Sequence, residues 1–184
     1  MKVIFLDIDG VLNRQTQNLE FRDDEFPFSV EFDKKAVSNL KKLLEQSQAK
    51  LVISSSWGRS MDFRTIAITL ASHGIQGPYV MPQDIGQKEE VLGLRESLEI
   101  SRSAVIPKKM SSEKCHEISW YLEKNSQYIE SYVVLDDTPI TWQEDRQVLT
   151  DSTLGLTNIN IKKALKILKK PYKLILKNRE FLIY

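Results

Sequence analysis

This sequence contains little cysteine and little histidine: one cysteine, Cys115, and two histidines in 184 residues. A single cysteine cannot form an internal disulfide, which agrees with a reducing compartment, and without a Cys/His cluster there is no zinc-site signal. No hydrophobic run approaches the roughly 20 residues of a membrane helix, and the apolar start leads straight into charged Asp7 rather than a signal-peptide core. We therefore expect a soluble, cytoplasmic protein.

The phosphate-binding loop pattern G-x-x-x-x-G-K-[ST] is also absent, so the sequence gives no support for a kinase or a ligase. No internal repeat and no low-complexity linker divides the chain. With 184 residues, of which 41% are hydrophobic, the chain is long enough to bury a substantial core. We expect one domain that spans residues 1–184.

The formal net charge of +1 conceals an asymmetry. After Asp151 the chain holds eight Lys or Arg against one acid, Glu180, so this segment carries +7 and the first 151 residues carry −6. The basic residues are Lys162, Lys163, Lys166, Lys169, Lys170, Lys173, Lys177 and Arg179. Such an end would suit a polyanion, such as nucleic acid, held near a metal site, although a solvated helix face has the same composition.

The first thirteen residues organise the chain. Residues 3–6 are an apolar, β-prone run typical of a buried strand, and they lead directly into Asp7 and Asp9. Two carboxylates this close repel each other unless a cation or a proton lies between them. We expect Mg²⁺, a hard ion with oxygen ligands. A calcium loop is a poorer explanation, because it needs a third acid before the glycine and flanking helices.

Two later apolar runs, residues 51–53 and 132–135, also end in oxygen-bearing side chains. The residues that follow the three runs are Asp7 and Asp9, Ser54 and Ser55, and Asp136 and Asp137. Strand-end hydrogen bonding of the serines and turn capping by the later aspartates are the alternative explanations. In open parallel sheets, however, ligands bind just outside the carboxyl ends of the strands. The three pairs together therefore predict one site.

Helical periodicity predicts helices at Lys34–Gln46, with Asp33 as N-cap, at Phe63–His73 and at Glu113–Asn125. The first of these lies between two strands, so those strands should be parallel neighbours in one sheet. Lys114, in the first turn of the third helix, opposes the helix dipole and lies on the same side as inward-facing Ile118. It is our candidate for binding phosphate, with Lys108 and Lys109 as the alternatives.

Asp7-Ile8-Asp9-Gly10-Val11, Ser54, Lys114 and Asp136-Asp137 resemble, in this order, the four motifs of the haloacid dehalogenase (HAD) superfamily of phosphohydrolases. A narrower resemblance is to the branch found as a module in bacterial and phage RNA-repair proteins. It rests on Ile53–Trp57, the helix Lys114–Leu122, Leu135–Asp137 and Gly155–Thr157. Gly58 separates Trp57 from Arg59, where an Arg often follows the Trp in that branch, so Arg59 is given no role.

The resemblance implies a fold and an activity. The fold is α/β, a Rossmann-like three-layer sandwich with a mainly parallel sheet, a small flap at about 14–32 and no large cap domain. An insertion at about 84–109 and a basic C-terminal helix and tail at about 160–184 complete the expected domain. The activity is Mg²⁺-dependent hydrolysis of a phosphomonoester through an aspartyl-phosphate.

The same resemblance implies the roles of the site residues. Asp7 would be the nucleophile, and Asp9 would protonate the leaving oxygen and then activate water. The phosphate would be bound by Ser54, Ser55 and Lys114, and the metal ligands would be Asp7, Asp9, Asp136 and Asp137. For Asp9, the backbone carbonyl would reach the metal.

The expected substrate is a nucleotide or a nucleic-acid end, with nucleic-acid contact through the basic C-terminal segment. The alternatives are a phosphatase of a small non-nucleotide metabolite and a non-catalytic nucleic-acid-binding module on the same fold. A phospho-acceptor of the receiver type is disfavoured, because receivers place the acceptor Asp on a later strand than the acid pair. No membrane contact is expected.

Overall fold

The central feature of the fold is a parallel sheet. The computed structural model describes residues 1–14, 31–61, 63–75, 79–80, 114–140 and 145–172. Within these residues five strands form one sheet, in the order β3-β2-β1-β4-β5, and every neighbouring pair is parallel. The strands are β1 (Lys2–Leu6), β2 (Lys50–Ile53), β3 (Tyr79–Val80), β4 (Ser131–Asp136) and β5 (Gln147–Leu149). The helices of the described part are α1 (Lys34–Ser47), α2 (Trp57–Ser60), α3 (Phe63–Ser72), α4 (Lys114–Asn125) and α5 (Asn158–Leu168).

The strand β1 is covered on both faces, because its successive side chains point to opposite sides of the sheet. Ile4 and Leu6 pack into a core shared with α1, α3 and α5. Val3 and Phe5 pack on the other side, against α4, where the ring of Phe5 meets the edge of Tyr121 at a centroid distance of 5.5 Å. The predicted three-layer α/β sandwich is confirmed.

The helix α1 follows its prediction closely. The Asp33 carboxylate accepts a hydrogen bond from the backbone N–H of Ala36 at 2.8 Å and so caps the helix start. Its buried apolar positions follow the helical period and face the sheet. The helix ends at Ser47, one residue beyond the predicted boundary, because Gln48 adopts a left-handed conformation with φ of 55°.

Other elements also differ from the sequence expectation, and α3 ends at Ser72, one residue before the predicted His73. The short helix α2 was not predicted, because four residues are too few to show a helical period. The helix α5 begins at Asn158 rather than at about Asn160, since the Thr157 hydroxyl and the Asn160 side chain form a reciprocal capping box. Strand β4 extends through Asp136, so this aspartate belongs to the sheet rather than to the following turn.

The predicted flap and the predicted insertion lie almost wholly or wholly outside the described residues, as does the tail beyond Tyr172. The expectation that no large cap is present falls on the same segments and stays a prediction. Among the helices that the structure describes, none is both long enough and apolar enough to cross a membrane.

The amino edge of the sheet brings two distant parts of the chain together. The backbone N–H of Glu130 donates to the Met1 carbonyl at 2.9 Å, and the N–H of Tyr172 donates to the Glu130 carbonyl at 2.6 Å. Because β1 runs from Met1 toward Asp7, these contacts lie at the edge opposite the carboxyl ends of the strands.

Candidate active site

The carboxyl end of β1 continues the hydrogen bonding of the sheet for one more residue. The backbone N–H of Asp7 donates to the carbonyl of Leu135 at 2.9 Å, and the N–H of Ser54 donates to the carbonyl of Leu6 at 2.8 Å. Since Leu6 pairs with both Ile53 and Leu135, Asp7 lies between the ends of β2 and β4. The register of the sheet therefore brings the predicted strand-end residues to one place.

Three of the predicted carboxylates form a group. Oxygens of Asp7, Asp136 and Asp137 all lie within 4.8 Å of one another, and the residues Asp7 and Asp136 are 5% and 0% exposed. The Lys114 amino group donates to Asp7 at 2.5 Å and to Asp136 at 2.7 Å. With all four groups ionised the group carries −2, from three carboxylates and one ammonium. This charge and the oxygen donors fit a divalent cation such as Mg²⁺.

Burial sets the electrostatics of this group. Loss of solvation raises the pKa of Asp7 to about 6, although the charge of Lys114 opposes the rise. Burial also raises the pKa of Asp136 against the same opposing charge. For Lys114, burial alone would lower the pKa, but Asp7 and Asp136 outweigh it and the pKa is raised. The lysine therefore stays protonated, and a further cation beside the two carboxylates would favour their ionised forms.

Gly10 makes room for the third carboxylate. It has φ of +69°, and a Cβ at this residue would lie 2.2 Å from Oδ2 of Asp137. Its carbonyl accepts a hydrogen bond from the Thr150 hydroxyl at 3.0 Å, which fixes the turn from the opposite side. Only glycine allows both the turn and the close approach of Asp137.

Asp9 has different surroundings from Asp7. The indole N–H of Trp57 donates to Oδ2 of Asp9 at 2.9 Å, and the side-chain amide of Asn13 donates to Oδ1 at 2.8 Å. The side-chain oxygen of Asn13, Oδ1, in turn accepts from the backbone N–H of Gly10 at 3.1 Å. The Asp9 carboxylate is thus held by two neutral donors. That Asp9 contributes to a metal site, through its backbone carbonyl, stays a prediction.

The two serines at the end of β2 differ in their partners. The Ser55 hydroxyl accepts from the backbone N–H of Trp57 at 3.4 Å, and its hydrogen bond to Asp7 lowers the pKa of that carboxyl. The Ser54 hydroxyl is buried and has no hydrogen-bond partner among the residues that the structure describes. A buried hydroxyl without a partner is costly, and an anion beside Asp7 would supply one.

The alternative explanation for the aspartates after β4 also applies in part. Oδ1 of Asp136 accepts from the backbone N–H of Thr138 at 2.9 Å, and Oδ1 of Asp137 accepts from the Thr138 hydroxyl at 3.3 Å. Asp136 therefore caps the turn through a backbone N–H, whereas Asp137 contacts only the Thr138 side chain. Because Oδ2 of Asp136 pairs with Lys114, capping and the acidic group use different oxygens of the same side chain.

The segment Gly155–Thr157 supports the loop that carries Asp9 and Gly10. The backbone N–H of Leu156 donates to the carbonyl of Val11 at 2.9 Å. Gly155 has φ of +64°, and a Cβ there would lie 3.0 Å from the same carbonyl. The segment thus contacts the backbone of this loop and is not part of the acidic group.

Other residues with reactive or charged side chains are not part of this group. His73 is half-buried at the end of α3, where its Nε2 accepts from the backbone N–H of Phe32 at 3.5 Å, and Cys115 is buried against the sheet. Lys108, Lys109 and the side chain of Arg59 lie outside the described residues. The sequence reasoning missed Asn13 and the role of Trp57. Asn13 lies four residues after Asp9, a local signal, but nothing in the sequence indicates where the Trp57 indole points.

Comparison with known proteins identifies the family of this chain. A family model described as the HAD domain in Swiss Army Knife RNA repair proteins matches residues 3–161. No curated protein and no solved structure gives a match. The match runs from β1 into α5 and includes every site residue above. The chain belongs to the HAD domain family of Swiss Army Knife RNA repair proteins.

Proposed function

We propose that this chain is a Mg²⁺-dependent phosphatase that hydrolyses a phosphomonoester, at a nucleotide or nucleic-acid end, through an aspartyl-phosphate on Asp7. Membership of the family indicates a hydrolase of the phosphatase type in an RNA-repair setting. The observation that carries the proposal is the buried group of Asp7, Asp136 and Asp137, together with the bridge from Lys114 to the first two.

In the first step a carboxylate oxygen of Asp7 attacks phosphorus, and the bond from phosphorus to the ester oxygen breaks. Asp9 gives its proton to that leaving oxygen. In the second step Asp9 accepts a proton from water, the water oxygen attacks phosphorus, and Asp7 is released as a carboxylate. Asp9 ends the cycle protonated, as it began. The fixed orientation of Asp7, whose Oδ1 accepts from the backbone N–H of Ile8 at 2.8 Å, supports its role as nucleophile.

Binding of the phosphoryl group falls to the residues around Asp7. The Ser54 hydroxyl lacks a partner among the described residues and is available to donate to a phosphoryl oxygen. Lys114 supplies the fixed positive charge, since its pKa is raised and it remains protonated at neutral pH. Mg²⁺, bound through Asp7, Asp136 and Asp137, would supply further neutralisation of phosphoryl charge.

The test is a phosphatase screen over p-nitrophenyl phosphate, mononucleotides, sugar phosphates and oligonucleotides with a 3′ or a 5′ phosphate, each with Mg²⁺ and with EDTA. We expect release of phosphate that depends on Mg²⁺ and is fastest on nucleotides or oligonucleotides. Asp7→Asn should lower the rate by about 10⁴-fold or more, because it removes the nucleophile. Acid quenching with labelled substrate should trap label on wild type, with turnover of the adduct within seconds.

Asp145→Asn is the matched control, because Asp145 is an exposed aspartate outside the site. It should leave the rate unchanged. Full activity of Asp7→Asn would contradict the assignment of the nucleophile. If wild type released no phosphate from any substrate with Mg²⁺, the chain would be a binding module and not a phosphatase. Fastest turnover on sugar phosphates would contradict the nucleic-acid preference.

A further inference from the structure

Two neighbouring helices expose a concentrated positive charge that the proposed chemistry does not use. We call it the lysine face and define it by the exposed lysines of α1 and of α5 with its C-terminal turn. They are Lys34, Lys35, Lys41, Lys42, Lys162, Lys163, Lys166, Lys169 and Lys170. Residues 34–48 carry +3, from four lysines and Glu45, and residues 158–170 carry +5, from five lysines. Since the whole chain carries +1, its other residues carry −7.

The two helices lie side by side on one layer of the sandwich. Both pack into the same core, and the side-chain amide of Asn39 on α1 donates to the carbonyl of Leu156, just before α5, at 2.8 Å. A Cβ at Gly155 would lie 3.6 Å from Cβ of Ala36. The exposed sides of the two helices are therefore adjacent, although on α1 the Lys41 amino group lies beside Gly74, at the end of α3.

The lysine face begins at the same edge of the sheet as the active site. The backbone N–H of Asp33, the N-cap of α1, donates to the carbonyl of Leu12 at 2.8 Å, and the N–H of Leu156, just before α5, donates to the carbonyl of Val11 at 2.9 Å. Lys34 and Lys35 in the first turn of α1 are thus at the site end. Lys41 and Lys42 lie two turns further along, about 10 Å away at 1.5 Å per residue.

Helix stability does not explain this arrangement. Lys34 and Lys35 oppose the dipole at the start of α1, whose first turn has no acidic residue. Within α5, Lys166 is four residues from Lys162, a spacing at which like charges destabilise a helix. None of the nine lysines forms an ion pair within the described ranges, and Glu45 is the one acid that the two helices contain.

We propose that the lysine face binds the sugar-phosphate backbone of the RNA strand whose phosphorylated end enters the active site. This inference rests on the proposed function and adds to it the surface that holds the substrate away from the reacting end. A row of lysines complements a polyanion, and such contacts fix position without reading sequence. The acidic site edge, by contrast, would repel the rest of the strand, so a separate cationic surface is needed to retain it.

The test measures binding of a fluorescein-labelled, unphosphorylated oligoribonucleotide to the full chain by fluorescence anisotropy over a range of KCl concentrations. The variant Lys42→Gln/Lys166→Gln removes one charge from each helix of the face. We expect it to bind about tenfold more weakly at low salt. The slope of log K against log salt should fall by about 1.4, because each single-strand phosphate contact contributes roughly 0.7.

The matched control is Arg64→Gln/Lys124→Gln, which removes the same charge from exposed positions on α3 and α4. It should leave both affinity and slope near wild type. An equal loss in the control would overturn the proposal, since it would show that net charge alone attracts RNA. An unchanged RNA affinity in the lysine-face variant would also overturn the proposal. So would a lysine-face variant that loses binding to phosphatidylserine vesicles but keeps its affinity for RNA.

The hydrolysis assay separates this inference from the proposed function. Both double variants should hydrolyse p-nitrophenyl phosphate at the wild-type rate, because none of the four residues belongs to the site. With a phosphorylated oligoribonucleotide the lysine-face variant should show a raised KM and an unchanged kcat. If wild type hydrolysed nothing, the proposed function would fail, but the binding comparison would still give its own answer.

Discussion

The end of β1 presents two carboxylates, two residues apart, to two different environments. Asp7 is buried, bridged to Asp136 by Lys114, and burial raises its pKa to about 6. Asp9 is less buried and is held by the indole of Trp57 and the amide of Asn13, both neutral donors. One carboxylate is surrounded by charge, whereas the other is surrounded by dipoles.

This difference shows how one short motif can supply two chemical roles. Neighbouring carboxylates whose environments differ are a usual source of distinct acid, base and nucleophile assignments. Charged surroundings suit Asp7, which in the proposed mechanism meets a metal and a phosphoryl group. Neutral donors suit Asp9, since they orient a carboxyl group without placing a competing charge beside a proton that must move.

After Asp7→Asn, the largest expected loss of activity comes from removing the proposed proton carrier, Asp9. Asp9→Asn should slow hydrolysis of an alkyl or oligonucleotide phosphate by about 10²- to 10⁴-fold. The loss should be smaller with p-nitrophenyl phosphate, whose leaving group departs without protonation. Steady-state kinetics on the two substrates measures the contrast. Equal losses on both would break the comparison, because Asp9 would then act on binding and not on the leaving group.

Lys114→Met tests the charged side of the comparison. It removes the cation that bridges Asp7 and Asp136, and we expect a fall in kcat of about 10²- to 10³-fold, the usual effect of losing one group that stabilises developing charge. Since Lys114 does not contact the leaving oxygen in this scheme, the loss should be similar for alkyl and p-nitrophenyl phosphates. Lys124→Met, on the exposed side of α4, is the control and should leave kcat unchanged.

Asp7→Asn should stabilise the metal-free fold in a pH-dependent way. Burial raises the folded pKa of Asp7 from 3.8 to about 6, so the fold favours its protonated form. The free energy of unfolding of the wild type therefore falls as pH rises from about 4 to 6. Relative to wild type, the unfolding free energy of Asp7→Asn should be roughly 3 kcal/mol higher above pH 6 than at pH 4. Urea unfolding in EDTA at several pH values measures this. A difference in unfolding free energy that does not change with pH would contradict this expectation. Added Mg²⁺ should stabilise the wild type more than the variant.

The smallest expected effect belongs to the neutral side. Trp57→Phe keeps an aromatic ring but removes the donor to Asp9, and should lower kcat about tenfold, as expected for the loss of one hydrogen bond. The loss should be larger for the poorer leaving group, as for Asp9→Asn, with KM unchanged. Trp120→Phe on α4 is the matched control. A loss independent of the leaving group would mean that Trp57 acts through packing alone.

The charged half of this comparison could be predicted from the sequence. Apolar runs followed by oxygen-bearing residues indicated three parallel strands, and the sheet register then brings Asp7, Ser54 and Asp136 to one edge. Lys114 was identified because a lysine in the first turn of a helix is locally unfavourable. These inferences depend on strand and helix periods, which the sequence displays directly.

The neutral half could not be predicted in the same way. The position of the Trp57 indole depends on α2, a four-residue helix too short to have a period, and on its docking beside the loop after β1. The contact between Gly10 and Asp137 joins residues far apart in the chain. Composition showed a basic C-terminal segment, but only the packing of α1 against α5 joined its lysines to those of the first helix.

The meeting of Met1, Glu130 and Tyr172 at the amino edge of the sheet has a practical consequence. The six steps along the chain from Met1 to Asp7 span about 20 Å at the usual rise of a strand. A dye or an affinity handle attached at Met1 should therefore lie away from the candidate active site. Immobilised by that end, the molecule presents its reactive side to the solution.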